Sequence, residues 1–204
     1  MKRRLFGLSV LLCILAVGQS LGAASKGRVL MILRTSGAGL NDISLTKEVA
    51  VMKSALNEVG FEVVTATASG ELVKGSGESL KPDLKLVDVR VGDYVGVMVP
   101  CMASYDPVDS KMVDIVKQAW RLGMPLAAQN SGVLVLTSAG VLRGKRFAIA
   151  ADNAGDVSGG TFAGIGVVVD GNIVTSGTCP NRAKVLSKPD GTAELTQKFI
   201  ALIR

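Results

Sequence analysis

The sequence predicts a three-layer α/β sandwich, a mainly parallel sheet with helices on both faces. Three observations carry this. Short, almost continuously apolar runs at residues 28–34, 61–67 and 94–100 read as strands buried on both sides. Between them lie segments whose apolar residues recur at helical spacing, and Gly60 and Gly123 stand where such helices need a left-handed stop. Strands that alternate with helices are joined by crossovers, which pair them in parallel.

In chain order, the run RVLMILR (28–34) is the first strand, followed by a glycine-bearing loop at 35–45. Residues 46–59 are predicted helical, with Val49, Met52, Leu56 and Val59 on one side, and 61–67 is the second strand. Residues 69–86, rich in Gly, Ser and Lys, read as a surface excursion before the strand YVGVMVP (94–100). The helix over 107–122 carries Val108, Met112, Ile115, Val116 and Trp120 inward. A very short strand at 125–128 runs into the turn 129–132 and a helix over 133–139. Strands at 146–150 and 166–169 follow, and Asp170-Gly171 turns the chain into a hairpin with 172–176. The last helix spans 192–203, with Leu195, Phe199 and Leu202 inward. No internal repeat or second domain is evident.

Residues 1–24 read as a signal peptide. Lys2, Arg3 and Arg4 precede an apolar stretch from residue 5 to 17, and Gly22, Ala23 and Ala24 offer a cleavage site before Ser25. The apolar stretch is shorter than the roughly 20 residues a membrane span needs, and Leu12 is too bulky to make Cys13 a usual lipidation site. The expectation is an exported protein, periplasmic or secreted, with no stable membrane insertion after leader removal and one domain over 25–204.

Losing three basic residues and no acids lowers the net charge from +6 to +3. With one Trp and 4% aromatic residues, such a domain lacks both the basic footprint and the stacking platforms of a nucleic-acid binder. The chain has no histidine. That excludes Ser-His-Asp and Cys-His triads and histidine-ligated metals, and no metal or cofactor is expected. Proton transfer is left to carboxylates, lysine, tyrosine or water.

Ligands of parallel sheets gather at the carboxyl ends of the strands. The segments 35–39, 100–104, 129–132 and 177–180 therefore matter most. Ser36-Gly37-Ala38-Gly39 lacks the third glycine and the Gly-Lys-Thr of a phosphate cradle, so a tight loop is expected there. The stretch from Leu126 to Gly132 has the pattern of a strand, a tight turn and a helix start, and small residues at 127, 128 and 132 permit the close packing of such an elbow. The elbow aims residue 130 into a site beside free backbone N–H groups, which favour an anion or a developing oxyanion.

Here the chain resembles the ThiJ/PfpI family of the class I glutamine-amidotransferase-like superfamily. AAQNSG stands at the family's elbow A-A-(I)-C-x-G, SAGVLRGKR (138–146) is similar to its A-G-L-L-(K/R)-G-(K/R), and VVVDGNIVTSG (167–177) to its hairpin and loop. Glu48 precedes Gly60 by twelve positions, as the family glutamate precedes the glycine ending the first helix. The resemblance covers nearly all of 25–204 and implies a flavodoxin-like sheet, a thiolate nucleophile at the elbow and a glutamate beside it. It also implies a homodimer, of which the periodicity gives no sign. The nucleophile position falls on Asn130, an amide that is neither thiolate nor base. The family's Pro-Gly-Gly reads Pro100-Cys101-Met102, which keeps the Met102 N–H but adds bulk to the pocket wall.

The sequence thus implies a non-catalytic pseudoenzyme that binds a small polar or anionic ligand, or a partner, at the former active site. Glu48, Met102, Asn130, Ser131 and Cys179 are the expected ligand-binding residues, with Glu48 hydrogen-bonded to Asn130. The rival is a hydrolase or lyase, glyoxalase-, deglycase- or peptidase-like, with chemistry relocated to Cys101, Ser131 or Glu48. Cys101 and Cys179 follow strands at one end of the sheet, and three states stay open for them: a disulfide, a displaced nucleophile or two unlinked thiols.

Overall fold

The structure, a computed structural model, describes residues 25–35, 42–103 and 107–204. The expected leader at 1–24 and the loop at 36–39 lie outside the described residues. The main sheet has seven strands: β1 (Arg28–Ile32), β2 (Glu62–Thr67), β3 (Leu84–Lys85), β4 (Gly96–Val99), β5 (Leu126–Gln129), β6 (Val167–Asp170) and β7 (Ile173–Ser176). Their order is β6-β7-β5-β4-β1-β2-β3, and every neighbouring pair is parallel except the β6–β7 hairpin. The helices are α1 (Ala50–Glu58), α2 (Ser110–Arg121), α3 (Val133–Ser138), α4 (Pro180–Leu186) and α5 (Thr192–Ile203).

The period of two along each strand divides the core into two layers. Leu30, Ile32, Val64, Val97, Val99 and Leu126 meet Met112, Ile115 and Val116 of α2 and Val133 and Leu136 of α3. Val29, Met31, Val63, Met98, Ala127 and Val174 meet Met52 and Leu56 of α1 and Leu195 and Phe199 of α5. Both faces of the central strands are therefore dry, which explains their continuous apolar runs. This is the flavodoxin-like, three-layer α/β architecture expected.

Several elements differ from expectation in physically legible ways. The first helix begins with a turn wider than an α-helical one (Ser44–Val49), which carries Glu48 inward before α1 starts. The excursion at 69–86 contains an antiparallel ribbon (Val73–Lys74 with Ser79–Leu80) and the edge strand β3, which pairs with Ala66 and Thr67. Of residues 146–150, only Arg146–Phe147 is strand, and it pairs with Thr161–Phe162 outside the main sheet. The N–H groups that a longer strand would need go elsewhere: Ala148 donates to Thr175 Oγ1 (2.8 Å) and Ala150 to Asn130 Oδ1 (3.3 Å). Asp170 pairs with Ile173, so the hairpin turn is Gly171-Asn172, with Gly171 at φ 60°. Helix α4 falls in a stretch for which no element was predicted.

The elbow rests on a close approach. A Cβ on Gly132 would lie 2.2 Å from the Val99 carbonyl oxygen, which is fixed in the sheet and cannot yield. Gly132→Ala is expected to destabilise the fold by about 3 kcal/mol, the upper end of overpacking costs. Urea unfolding of the variant checks this, and an unchanged midpoint would contradict the packing.

Candidate functional site at the carboxyl edge of the sheet

The strand ends of β1, β4, β5 and β7 converge on one side of the sheet, and the expected residues Glu48, Cys101, Met102, Asn130, Ser131 and Cys179 meet there. Asn130 follows β5 directly at φ 44°, then a single tight turn (Asn130–Gly132) leads into α3. Asparagine is among the few side chains that accept left-handed backbone at modest cost. Its amide is used at both ends. Oδ1 accepts from Ala150 N–H at 3.3 Å, and Nδ2 lies 3.5 Å from Cys101 Sγ and 4.0 Å from Cys179 Sγ. Beside it, Ser131 donates its hydroxyl to the Cys101 carbonyl at 2.6 Å, with Oγ 3.4 Å from Cys101 Sγ.

Glu48 is fully buried, and its carboxylate accepts from the N–H groups of Cys101 (2.6 Å) and Met102 (3.2 Å). The expected Glu48–Asn130 hydrogen bond is replaced by these two. The reason is local backbone: Met102 and Ala103 both sit at φ 49°, a left-handed turn that aims consecutive N–H groups at one acceptor. Met102 is wholly buried in the layer with α1 and α5, and its N–H is spent on Glu48.

Cys101 and Cys179 are both free thiols, each 1% exposed. They share a cavity of about 130 Å³ with Ala103, Asn130, Asn181, Arg182 and Val185. Val185 is 72% exposed and marks the mouth. Of the expected ligand-binding residues, Asn130 and Cys179 line this cavity, whereas Glu48, Met102 and Ser131 stand behind its wall. Larger clefts, near Ala55 and Arg204 and near Lys188 and Glu194, contain no thiol.

Sequence reasoning missed several supporting residues. Arg34, buried at the end of the first apolar run, donates from Nη1 to the Ser131 carbonyl at 2.8 Å and braces the elbow. Gln129 donates from Nε2 to the Thr178 carbonyl at 2.8 Å, which places Cys179 against the elbow. Asn181 and Arg182, on α4, form the cavity's polar rim. Asn181 bonds Ser44 Oγ at 3.2 Å, and Arg182 pairs with Asp152. Pro180, at the first turn of α4, was the available signal for that helix.

The electrostatics favour one negative charge on the sulfurs. The Cys101 thiol is lowered to about 6, first by hydrogen bonding from the Cys179 thiol and then, against the cost of burial, by the hydroxyl and N–H of Ser131 and the Asn130 amide. Cys179 is held far above the ordinary thiol range by that same bond to Cys101 and by burial. The two titrate as a unit, and Cys101 releases the first proton because more donors surround it. Burial pushes the Glu48 carboxyl well above its usual range, with the Cys101 charge adding to the shift and the two N–H bonds opposing it. Among the described residues, no group of three or more Cys, Asp or Glu side chains is arranged to hold a metal. Among the described residues no helix is long and apolar enough to cross a membrane.

Comparison with known proteins agrees with the fold. The DJ-1/PfpI family profile matches residues 28–187. A protein of Archaeoglobus fulgidus is 37% identical over 126 residues, covering 59% of this chain and 75% of the relative. A deglycase of Pyrococcus abyssi is 32% identical over 126 residues, covering 59% of this chain and 76% of that protein. Among solved structures, a ThiJ/PfpI domain protein from Brachyspira murdochii superimposes with a TM-score of 0.67 at 15% identity, over 88% of this chain and 97% of that one. Drosophila melanogaster DJ-1beta gives 0.61 at 22% identity, over 86% and 96%.

Two outcomes follow from the charges. Alkylation of Cys101 by iodoacetamide, followed by peptide mass mapping, is expected to reach half its maximal rate near pH 6. Cys179→Ala removes the largest stabiliser of the thiolate and moves that midpoint upward, toward the roughly 8.5 of an ordinary thiol. Glu48 has the opposite sense. A carboxyl raised by folding stabilises the fold fully below its unfolded value, and that contribution is lost as pH rises toward the folded value. Glu48→Gln removes this dependence, so the stability of the wild type relative to the variant should fall as pH rises above about 4.5. Urea midpoints across pH for both proteins measure it, and parallel curves would contradict the assignment.

Proposed function

The chain belongs to the DJ-1/PfpI family, and from that premise we propose that it is an exported ligand-binding member that has given up covalent chemistry at its elbow. The observation that carries this reading is Asn130 at the left-handed tip of the strand-to-helix turn, its amide directed at the cavity sulfurs. The family resemblance puts a cysteine at this tip. An amide there offers a donor and an acceptor but no nucleophile. Relatives in Pyrococcus abyssi and Pyrococcus furiosus are named deglycases; their chemistry is not carried over to residue 130. Export rests on the leader-like segment at 1–24, and a mature N-terminus at Ser25 in the extracytoplasmic fraction tests it.

The cavity sets the ligand class. About 130 Å³ suits a molecule of a few heavy atoms, well below the roughly 300 Å³ at which drug-sized sites begin. Asn130, Asn181 and Arg182 supply polar contacts, and the Cys101 thiolate at neutral pH opposes a second negative charge. Small neutral polar molecules therefore suit the cavity at neutral pH, and small carboxylates once Cys101 is protonated. One observation favours the rival reading, a thiol-dependent hydrolase or lyase: Cys101 lines the cavity, with Asn130 Nδ2 and Ser131 Oγ within hydrogen-bonding reach of its sulfur.

Glycolamide and glycolate, titrated at millimolar concentrations and followed by NMR at the Asn130 and Cys179 amides, test the proposal. Glycolamide binding should not vary between pH 5 and 7.5, and glycolate should bind about tenfold or more tighter at the lower pH, as a Coulomb contact in a partly screened site requires. Asn130→Gly, which keeps the left-handed backbone, should weaken both. Deglycase turnover of methylglyoxal-modified amines should be absent in the wild type. Turnover abolished by Cys101→Ala would establish the rival, and turnover surviving in a Cys101/Cys179 double alanine variant would move the chemistry to Ser131 or Glu48.

A further inference from the structure

We infer that Cys101 and Cys179 form a two-electron redox centre that consumes a small hydroperoxide and closes to an intramolecular disulfide in the wall of the cavity. The inference rests on placement. The two sulfurs come from segments 78 positions apart, yet both lie within 4.0 Å of the one amide nitrogen of Asn130. Both are buried, both line the same cavity, and both are free. The cavity reaches solvent beside exposed Val185 and has room for a small hydroperoxide. Among the described residues, the thiol that shares the cavity with Cys101 is Cys179. The other cysteine of the chain, Cys13, lies in the leader-like segment.

The chemistry balances with a hydroperoxide as the named oxidant. The Cys101 thiolate attacks the terminal oxygen of ROOH; an S–O bond forms, the O–O bond breaks, and the alkoxide leaves and takes a proton from water. Cys101 becomes a sulfenic acid, oxidised by two electrons. Cys179 then attacks Cys101 Sγ; the S–S bond forms, the S–O bond breaks, and the departing hydroxide takes the Cys179 proton to leave as water. The sum is two thiols and ROOH giving a disulfide, ROH and water.

The surroundings enforce this order. Cys101 carries the donors that stabilise a thiolate, from Ser131, Asn130 and Cys179, so it is the attacking sulfur. Cys179 is held protonated first by its hydrogen bond to the Cys101 sulfur, then by burial and by the Cys101 charge. Once that sulfur is a neutral sulfenic acid, its thiolate is no longer there to hold the Cys179 proton, and Cys179 resolves it. The disulfide also removes the negative charge from the cavity. If the ligand-binding proposal holds, oxidation therefore turns a site that repels small carboxylates at neutral pH into one that accepts them.

The test uses the full-length chain carrying Cys13→Ser, reduced and then treated with one equivalent of hydrogen peroxide, with intact mass and non-reduced peptide mapping as readouts. The expected result is loss of two hydrogens, loss of both free thiols and a single 101–179 cross-linked peptide, reversed by dithiothreitol. Cys179→Ser should stop at a Cys101 sulfenic acid captured by dimedone, and Cys101→Ala should leave Cys179 unmodified. A wild type that accumulates sulfinic acid at Cys101, forms only intermolecular disulfides or stays reduced overturns the inference, whether or not the variants fold. These readouts do not involve ligand, so failure to bind glycolate leaves the redox result standing. Glycolate binding at pH 7.5 that does not strengthen on oxidation removes the switch but not the centre.

Discussion

The site depends on one carboxylate. Glu48 reaches from the wide turn before α1 to the loop after β4 and accepts the N–H groups of Cys101 and Met102. That acceptor helps to hold two consecutive non-glycine residues, Met102 and Ala103, at φ 49°. Left-handed backbone costs roughly 1–2 kcal/mol per such residue, and two hydrogen bonds of about 0.5–1.5 kcal/mol each offset much of it. The turn fixes where the Cys101 carbonyl and sulfur sit, and the Ser131 hydroxyl on that carbonyl ties the loop to the elbow. Arg34 on the Ser131 carbonyl and Gln129 on the Thr178 carbonyl extend the same chain of contacts to β1 and to the Cys179 loop.

That arrangement concentrates ionisable groups in a dry place, and the groups regulate one another. The Cys101 charge raises Glu48, and by reciprocity a charged Glu48 opposes the thiolate. Cys179 lends its proton to Cys101 and is itself locked in the thiol form. The pocket is therefore a site for one mobile negative charge, and any event that neutralises Cys101 changes what Glu48, Cys179 and Asn130 can do.

Much of this was readable in the chain. The β-α alternation fixed the sheet, because strands buried on both faces leave continuous apolar runs such as RVLMI and GVMV. The small residues of LAAQNSG marked the elbow, and the carbonyl of Val99 against Gly132 explains why they must be small. The rule that sites gather at carboxyl ends of strands brought Cys101 and Cys179 together. What escaped was set by tertiary partners. Residues 148–150 have strand composition, but the hydroxyl of Thr175 and the amide of Asn130 capture N–H groups a ladder would use. The family resemblance placed Glu48 in the site, yet its partners depended on Met102 and Ala103 adopting a backbone that neither residue type advertises.

The asparagine at the elbow is coherent with the sulfur at 101. A thiolate at residue 130 would stand close to Cys101, and two thiolates in one dry cavity would repel strongly, so one would have to stay protonated. An amide avoids the conflict. It tolerates the left-handed tip, accepts from Ala150 N–H and donates toward both sulfurs. In the proposed reading the elbow has become the support of a thiol supplied by another loop. Such an exchange needs no histidine, because the proton-handling partner is the second cysteine. A chain with no imidazole anywhere can still keep a thiolate near neutral pH by hydrogen bonds of this kind.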